Sequence, residues 1–192
     1  VAMSVTLIPI SEEIPTITDT VKGQISSFFS IGYGVGILPA GLLLASPTTS
    51  PKLVLAGGII LWSWGTLITP YSVSTSNMAL LLSARTLVGL SESVVIPAIQ
   101  RLLVNWIPSQ AKKGMAVAIV LGGFQFGTIL AYALTPQIME AASNGWRSVF
   151  YLYGSAGFLF VIPWLVLAHD VPPVTTPTTK SIDTSDDETP VD

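Results

Sequence analysis

Four stretches of this chain, Ile25–Leu44, Leu53–Tyr71, Gly114–Leu134 and Val149–Ala168, contain no Asp, Glu, Lys or Arg. Each is long enough to cross the roughly 30 Å hydrocarbon core of a bilayer as a helix, which takes about 20 residues. A fifth stretch, Met78–Leu103, is as long and as apolar but carries Arg85, Glu92 and Arg101. Half of the 192 residues are apolar and 10% are charged, where a soluble domain would carry about 25%. Lipid, unlike water, tolerates such a surface, so the chain reads as an all-α membrane protein. Val1–Ile10 is too short to span and reads as the end of one further helix. No basic region precedes it and no cleavage-like end follows, which argues against a signal peptide.

The breaks between these segments, Ser11–Thr20, Ser46–Pro51, Ser72–Asn77, Asn105–Lys113 and Gln137–Arg147, are short enough to join antiparallel neighbours. Residues 1–169 therefore read as one helical bundle. Lys52, Arg101, Lys112, Lys113 and Lys180 fall on one side and Lys22 and Arg147 on the other. That bias places the Ser46–Pro51 and Asn105–Lys113 loops on the cytoplasmic or equivalent side. Trp106, Trp146 and Trp164 lie near segment ends, as interfacial tryptophans do. Residues 170–192 are acidic and rich in Pro, Thr and Ser, and are expected to form a disordered tail or a linker. The net charge of −3 comes mainly from that tail, and no basic patch suited to nucleic acid is present. With no cysteine, disulfides and thiolate metal sites are excluded.

Arg85 and Glu92 are the foremost candidates to carry chemistry, because an ionisable group at membrane depth costs roughly 2.5 kcal/mol or more even on lenient scales. Seven residues make almost two helical turns, so both lie on one face, about 10 Å apart along the axis. Arg85 is a permanent cation whose planar fork suits a carboxylate or phosphate. Glu92 can accept and release a proton. Together they suit anion binding coupled to protonation; the competing interpretation is a structural pair bonded to neighbouring helices. Gly89 lies between them and leaves room for a ligand or for another backbone. Tyr33 and Gln125 are polar groups inside the second and fifth helices and either face a cavity or bond between helices.

Gly32-x-x-x-Gly36 and Gly123-x-x-x-Gly127 space small residues one turn apart, the pattern of close helix packing. Pro39 and Pro136 interrupt the second and fifth helices at comparable places, which hints at an internal repeat. Pro97 should kink the fourth helix and free the carbonyl of Ser93. Enzymatic readings fare badly. His169 is the sole histidine and Glu92 the sole carboxylate within a span, so neither a His-based metal site nor a triad can be assembled, and no cofactor is implied.

Taken together, these motifs resemble the anion:cation symporter branch of the major facilitator superfamily. Arg85-Thr-Leu-Val-Gly89-Leu-Ser-Glu92-Ser-Val-Val-Ile-Pro97 is similar to that branch's fourth helix, with Ser91 and Ser93 in place of two glycines. Asn105-Trp-Ile-Pro108 resembles the motif that follows it. Gly145-Trp-Arg-Ser-Val-Phe-Tyr151, with Gly154, resembles the opening of the sixth helix. Met3-Ser4-Val5 through Pro9 and Val21-Lys-Gly23 resemble the end of the first helix and the start of the second. Gly122-Gly-Phe-Gln-Phe-Gly127 with Thr135-Pro136 is similar to plastid phosphate transporters of plants and algae. Ala45 and Ser46 stand where the superfamily's loop motif carries Asp and Arg. The resemblance implies the amino-terminal six-helix half of a twelve-helix bundle, its first helix truncated, working by alternating access.

It further implies that Arg85 and Glu92 line the central cavity, with phosphate or an organic anion as substrate and a proton or sodium ion as coupling partner. On this reading Arg85, Tyr33 and Gln125 bind substrate, Glu92 couples the ion, and Gly32, Gly36, Gly89, Gly123 and Gly127 pack helices. The bilayer is one partner, and a carboxyl-terminal half or another membrane protein is a second. The resemblance around Gln125 points to a plastid membrane. The competing expectation is a non-transporting membrane subunit that keeps the half-transporter fold.

Overall fold

The computed structural model describes residues 2–15 and 17–172, so nearly all of the expected tail lies outside the described residues. Seven helices follow one another: α1 (Ala2–Glu13), α2 (Asp19–Ala45), α3 (Pro51–Ser74), α4 (Met78–Glu92), α5 (Val95–Trp106), α6 (Gln110–Ala141) and α7 (Trp146–Leu167). Among the described residues, five segments are long and apolar enough to cross a membrane: α2, α3, α4 with α5 taken together, α6 and α7. They are the five spans expected from hydropathy, and α1 is the expected stub. The connections are shorter than the polar breaks suggested. Backbone groups leaving the apolar core still find their cheapest partners within the helix, so polar residues at both ends add turns.

Pro97 acts as expected. Its ring crowds the carbonyl of Ser93 and it has no N–H to offer, and the fourth span breaks there: α4 ends at Glu92 and α5 begins at Val95. Pro39 and Pro136 do not act as expected. Both lie inside continuous helices, α2 and α6. A single freed carbonyl within a span is tolerated where local adjustment or a neighbouring group compensates for it, so these prolines interrupt the hydropathy pattern without interrupting the helix.

Between helices in lipid there is no hydrophobic drive, and close packing over small residues replaces it. The α2–α4 seam is built this way. A Cβ on Gly32 would fall on the carbonyl oxygen of Thr86, one on Gly36 on the hydroxyl of Ser93, and one on Gly89 on the carbonyl oxygen of Phe29. The space beside Gly89 is therefore filled by the α2 backbone, not by a ligand. Central α3 uses the same device on two sides. A Cβ on Gly58 or Gly65 would stand 2.6 Å from Val94 and 2.7 Å from Val88, and one on Gly154 of α7 would stand 2.7 Å from Leu67.

Gly123 and Gly127 depart from expectation. Both are exposed, and a methyl group added to either would have nothing within 4 Å. They lie on α6, which touches α7, α1 and α5 only sparsely, and Thr135 is its only buried residue among those described. Spacing finds a small-residue face; it does not find what covers it.

Each end of the bundle is tied by polar contacts. At one end, Arg147 donates to Glu13 from Nη2 at 2.6 Å and from Nη1 at 3.3 Å, and the Trp146 indole donates to the same carboxylate at 2.6 Å. The Arg147 and Trp146 hydrogen bonds hold the Glu13 carboxyl below the usual carboxylate range. Beneath this clamp, Ile10, Ile25, Val73, Leu81 and Phe150 join α1, α2, α3, α4 and α7 in one apolar cluster. The left-handed turn at Gly145 (φ +54°), which favours glycine, sets Trp146 and Arg147 at the start of α7.

At the opposite end, Asp170 caps α3. It accepts from the Lys52 backbone N–H at 2.8 Å and from the Ser50 hydroxyl at 2.5 Å. Asn105 and Trp106 of α5 donate to the carbonyls of Asp170 and His169, and Trp164 of α7 donates to that of Lys52. Asp170→Ala removes the acceptor of the Lys52 N–H and is expected to destabilise the bundle by about 1 kcal/mol. Thermal melting of the purified protein in detergent checks this, and an unchanged melting temperature would show that the cap contributes nothing.

Candidate functional site

The candidate site forms where α4 crosses α3 and α2. Arg85, Val88 and Glu92, spaced three and four residues apart, face one cavity of about 510 Å³. The two ionisable residues therefore share a face, as their spacing predicts, and Gly89 occupies another face against α2. Ser4 of α1, Ser26, Phe29 and Ser30 of α2, Trp62 and Thr66 of α3 and Tyr153 of α7 complete much of the wall. Tyr153 shares a 3.0 Å hydrogen bond with Thr135 of α6.

Arg85 is only 6% exposed and, among the described residues, is the only buried side chain with a permanent charge. Its Nη2 donates to the hydroxyl of Thr69 on α3, while its buried Nε has no partner. Arg85 and Glu92 are not ion-paired. A buried guanidinium that is anchored by a neutral hydroxyl and left with an unused donor retains its attraction for an anion. The structural alternative, a pair bonded to neighbouring helices, has one such bond here, from Arg85 to Thr69 of α3.

Glu92 is half-buried. It lines this cavity and also a second one of about 480 Å³, whose other walls include Tyr33, Gly58, Ser91, Val95 and Phe124; Trp62 lines both as well. Tyr33 is thus brought to the Glu92 side of the site and not to Arg85. Gln125 is brought to neither cavity: it is exposed on the sparsely packed α6. Helical phase explains the miss, since Gln125 follows Phe124 by about 100° around the axis, and Phe124 is the residue that borders the second cavity.

Trp62, Thr66, Thr69, Ser26, Ser30 and Tyr153 were not anticipated from sequence. A signal for part of this set exists in α3, where Ser63, Thr66, Thr69 and Ser72 recur every three residues and all are buried. Hydroxyls are cheap inside a span because they can bond back to the helix carbonyls, as Thr66, Thr69 and Ser72 do. Their functional weight shows only once Arg85 is seen beside Thr69.

A bundle of apolar helices around a cavity with a buried cation in its wall defines a multi-pass integral membrane protein. The chain belongs to the Major Facilitator Superfamily, which it matches over residues 1–189, and its all-helical architecture is that of an amino-terminal half. Among curated proteins it is 32% identical over 172 residues to "Probable anion transporter 4, chloroplastic" of Arabidopsis thaliana, covering 90% of this chain and 31% of the relative. It is 32% identical to the "Ascorbate transporter, chloroplastic" of the same plant, over 90% of this chain and 30% of that protein. It is 33% identical to the plant's "Sodium-dependent phosphate transport protein 1, chloroplastic", over 90% of this chain and 32% of the relative. The chain thus spans about a third of the length of these relatives.

Proposed function

We propose that this chain contributes half of the translocation pathway of a secondary transporter that carries inorganic phosphate or an organic anion across a plastid membrane. Arg85 holds the anion, Glu92 couples its movement to a proton or sodium ion, and the bundle works by alternating access with a second set of helices. The observation that carries this reading is the buried Arg85 guanidinium, which lines a cavity with an unpartnered Nε and, among the described residues, no carboxylate paired with it. The relatives support the class of substrate, because their names specify anions, phosphate and ascorbate. The rival expectation of a non-transporting subunit gains nothing from them, since each is named as a transport protein.

Two features support the division of labour. Arg85 is anchored to α3, as a fixed binding group should be. Glu92 touches both cavities, the position expected of a group that meets each side in turn. In proteoliposomes made with the intact protein, Glu92→Gln is expected to abolish gradient-driven accumulation of phosphate or ascorbate while preserving counterflow exchange. Accumulation at the unmodified rate in that variant would remove Glu92 from the coupling role.

A further inference from the structure

We infer that Thr69 is a positioning residue that aims Arg85 at the anion; this rests on the role proposed for Arg85 above. An arginine side chain is long and rotamer-rich, whereas a binding group has to be held to within about 0.5 Å of its working position. Nothing on α4 itself holds the guanidinium; the contact that does comes from the neighbouring helix. Thr69 is 0% exposed, and its hydroxyl proton is already committed to the carbonyl of Gly65 at 2.8 Å. With its hydrogen engaged, the Thr69 oxygen presents only lone pairs, and one of them receives Nη2 of Arg85. The direction of the hydrogen bond is thereby set, and Thr69 acts toward Arg85 as an acceptor.

The choice of acceptor matters to the chemistry. A carboxylate in this place would hold the guanidinium equally well but would cancel its charge and compete with a bound anion. A hydroxyl fixes the group and leaves the charge in force. One contact on Nη2 leaves the buried Nε without a hydrogen-bond partner, and charge-assisted donors of this kind are what a phosphate or carboxylate uses. Thr69 therefore sets which donors of Arg85 remain for the anion. Its surroundings keep it in place: Gly65 lets α4 approach α3, with a Cβ there standing 3.2 Å from the carbonyl of Ala84, the residue before Arg85.

The test uses the intact protein in proteoliposomes, with inorganic phosphate and ascorbate as probes and with KM and kcat measured separately. Thr69→Val keeps the shape and removes the acceptor. The expected result is a rise in KM of about 10-fold, the size of one lost hydrogen bond to a charged group, with kcat changed by less than about 2-fold. Thr69→Ser restores the hydroxyl and should return KM to within about 2-fold of the original. Thermal melting verifies that each variant is folded, and Thr69→Ala serves in place of valine if the valine variant does not fold. An unchanged KM in Thr69→Val or Thr69→Ala overturns the assignment, as does equal impairment of the valine and serine variants, which would mark Thr69 as a packing residue. Normal uptake by Arg85→Ala would instead overturn the underlying reading of Arg85. These failures are separable, because the Thr69 assignment alone fails when Arg85→Ala is inactive and Thr69→Val is not impaired.

Discussion

Arg85→Ala is expected to reduce anion uptake by the intact protein about 100-fold or more. The figure follows from losing a desolvated, charge-assisted contact of roughly 3 kcal/mol. The loss should not come from unfolding. Arg85 makes a single hydrogen bond, to Thr69, and its removal leaves a hydroxyl that already donates to its own helix, so no unsatisfied hydroxyl is left behind. Melting temperature should therefore hold or rise slightly as uptake disappears, since an incompletely partnered buried cation is itself costly. Arg85→Lys separates charge from geometry: a point charge replaces the planar fork, and a KM well above the original with measurable kcat is expected. Uptake at the unmodified rate in the alanine variant would show that the anion is held elsewhere.

Gly89→Ala should have the largest effect on stability. The added methyl would meet the carbonyl oxygen of Phe29, with the backbone nitrogen of Tyr33 at 2.9 Å. Both are main-chain atoms of α2 that cannot rotate aside as a side chain would. The helices must separate, and overpacking of this kind costs about 1–3 kcal/mol or more. Gly32→Ala, which meets the Thr86 backbone across the same seam, should behave alike. Gly34→Ala is the control on α2: it has nothing within 4 Å, and the better helix propensity of alanine makes it neutral or mildly stabilising, by up to about 1 kcal/mol. Thermal melting in detergent ranks the three, and equal melting temperatures for Gly89→Ala and Gly34→Ala would mean that the seam is not close-packed.

The two variants also separate two kinds of information. Gly89 and Gly34 are both glycines within apolar spans, and nothing local distinguishes them. Only their contacts across α2 and α4 do. The same holds for Gly32 and Gly36 against Gly123 and Gly127, which show the same spacing and opposite surroundings.

Membrane insertion, five spans, the break before Pro97 and the shared face of Arg85 and Glu92 were all legible along the chain. Each depends on chemistry that is local to one segment: charge-free length matched to lipid thickness, the missing N–H of proline, and the helical repeat. The partners of those residues were not legible. That Thr69 holds Arg85, that Asp170 caps α3 across 118 positions of sequence from Lys52, and that Glu92 borders two cavities while Gln125 borders neither all depend on how separate helices are rotated against one another. In lipid that rotation is decided by close packing over small residues rather than by an apolar stripe seeking the core. Of the helices in the five spans, α2, α3, α6 and α7 carry little amphipathic signal from which to read it. The apolar segments alone thus identified a membrane protein with an ionisable pair at depth, and it took the packing of α2, α3 and α4 to turn that pair into an anchored cation beside an open cavity.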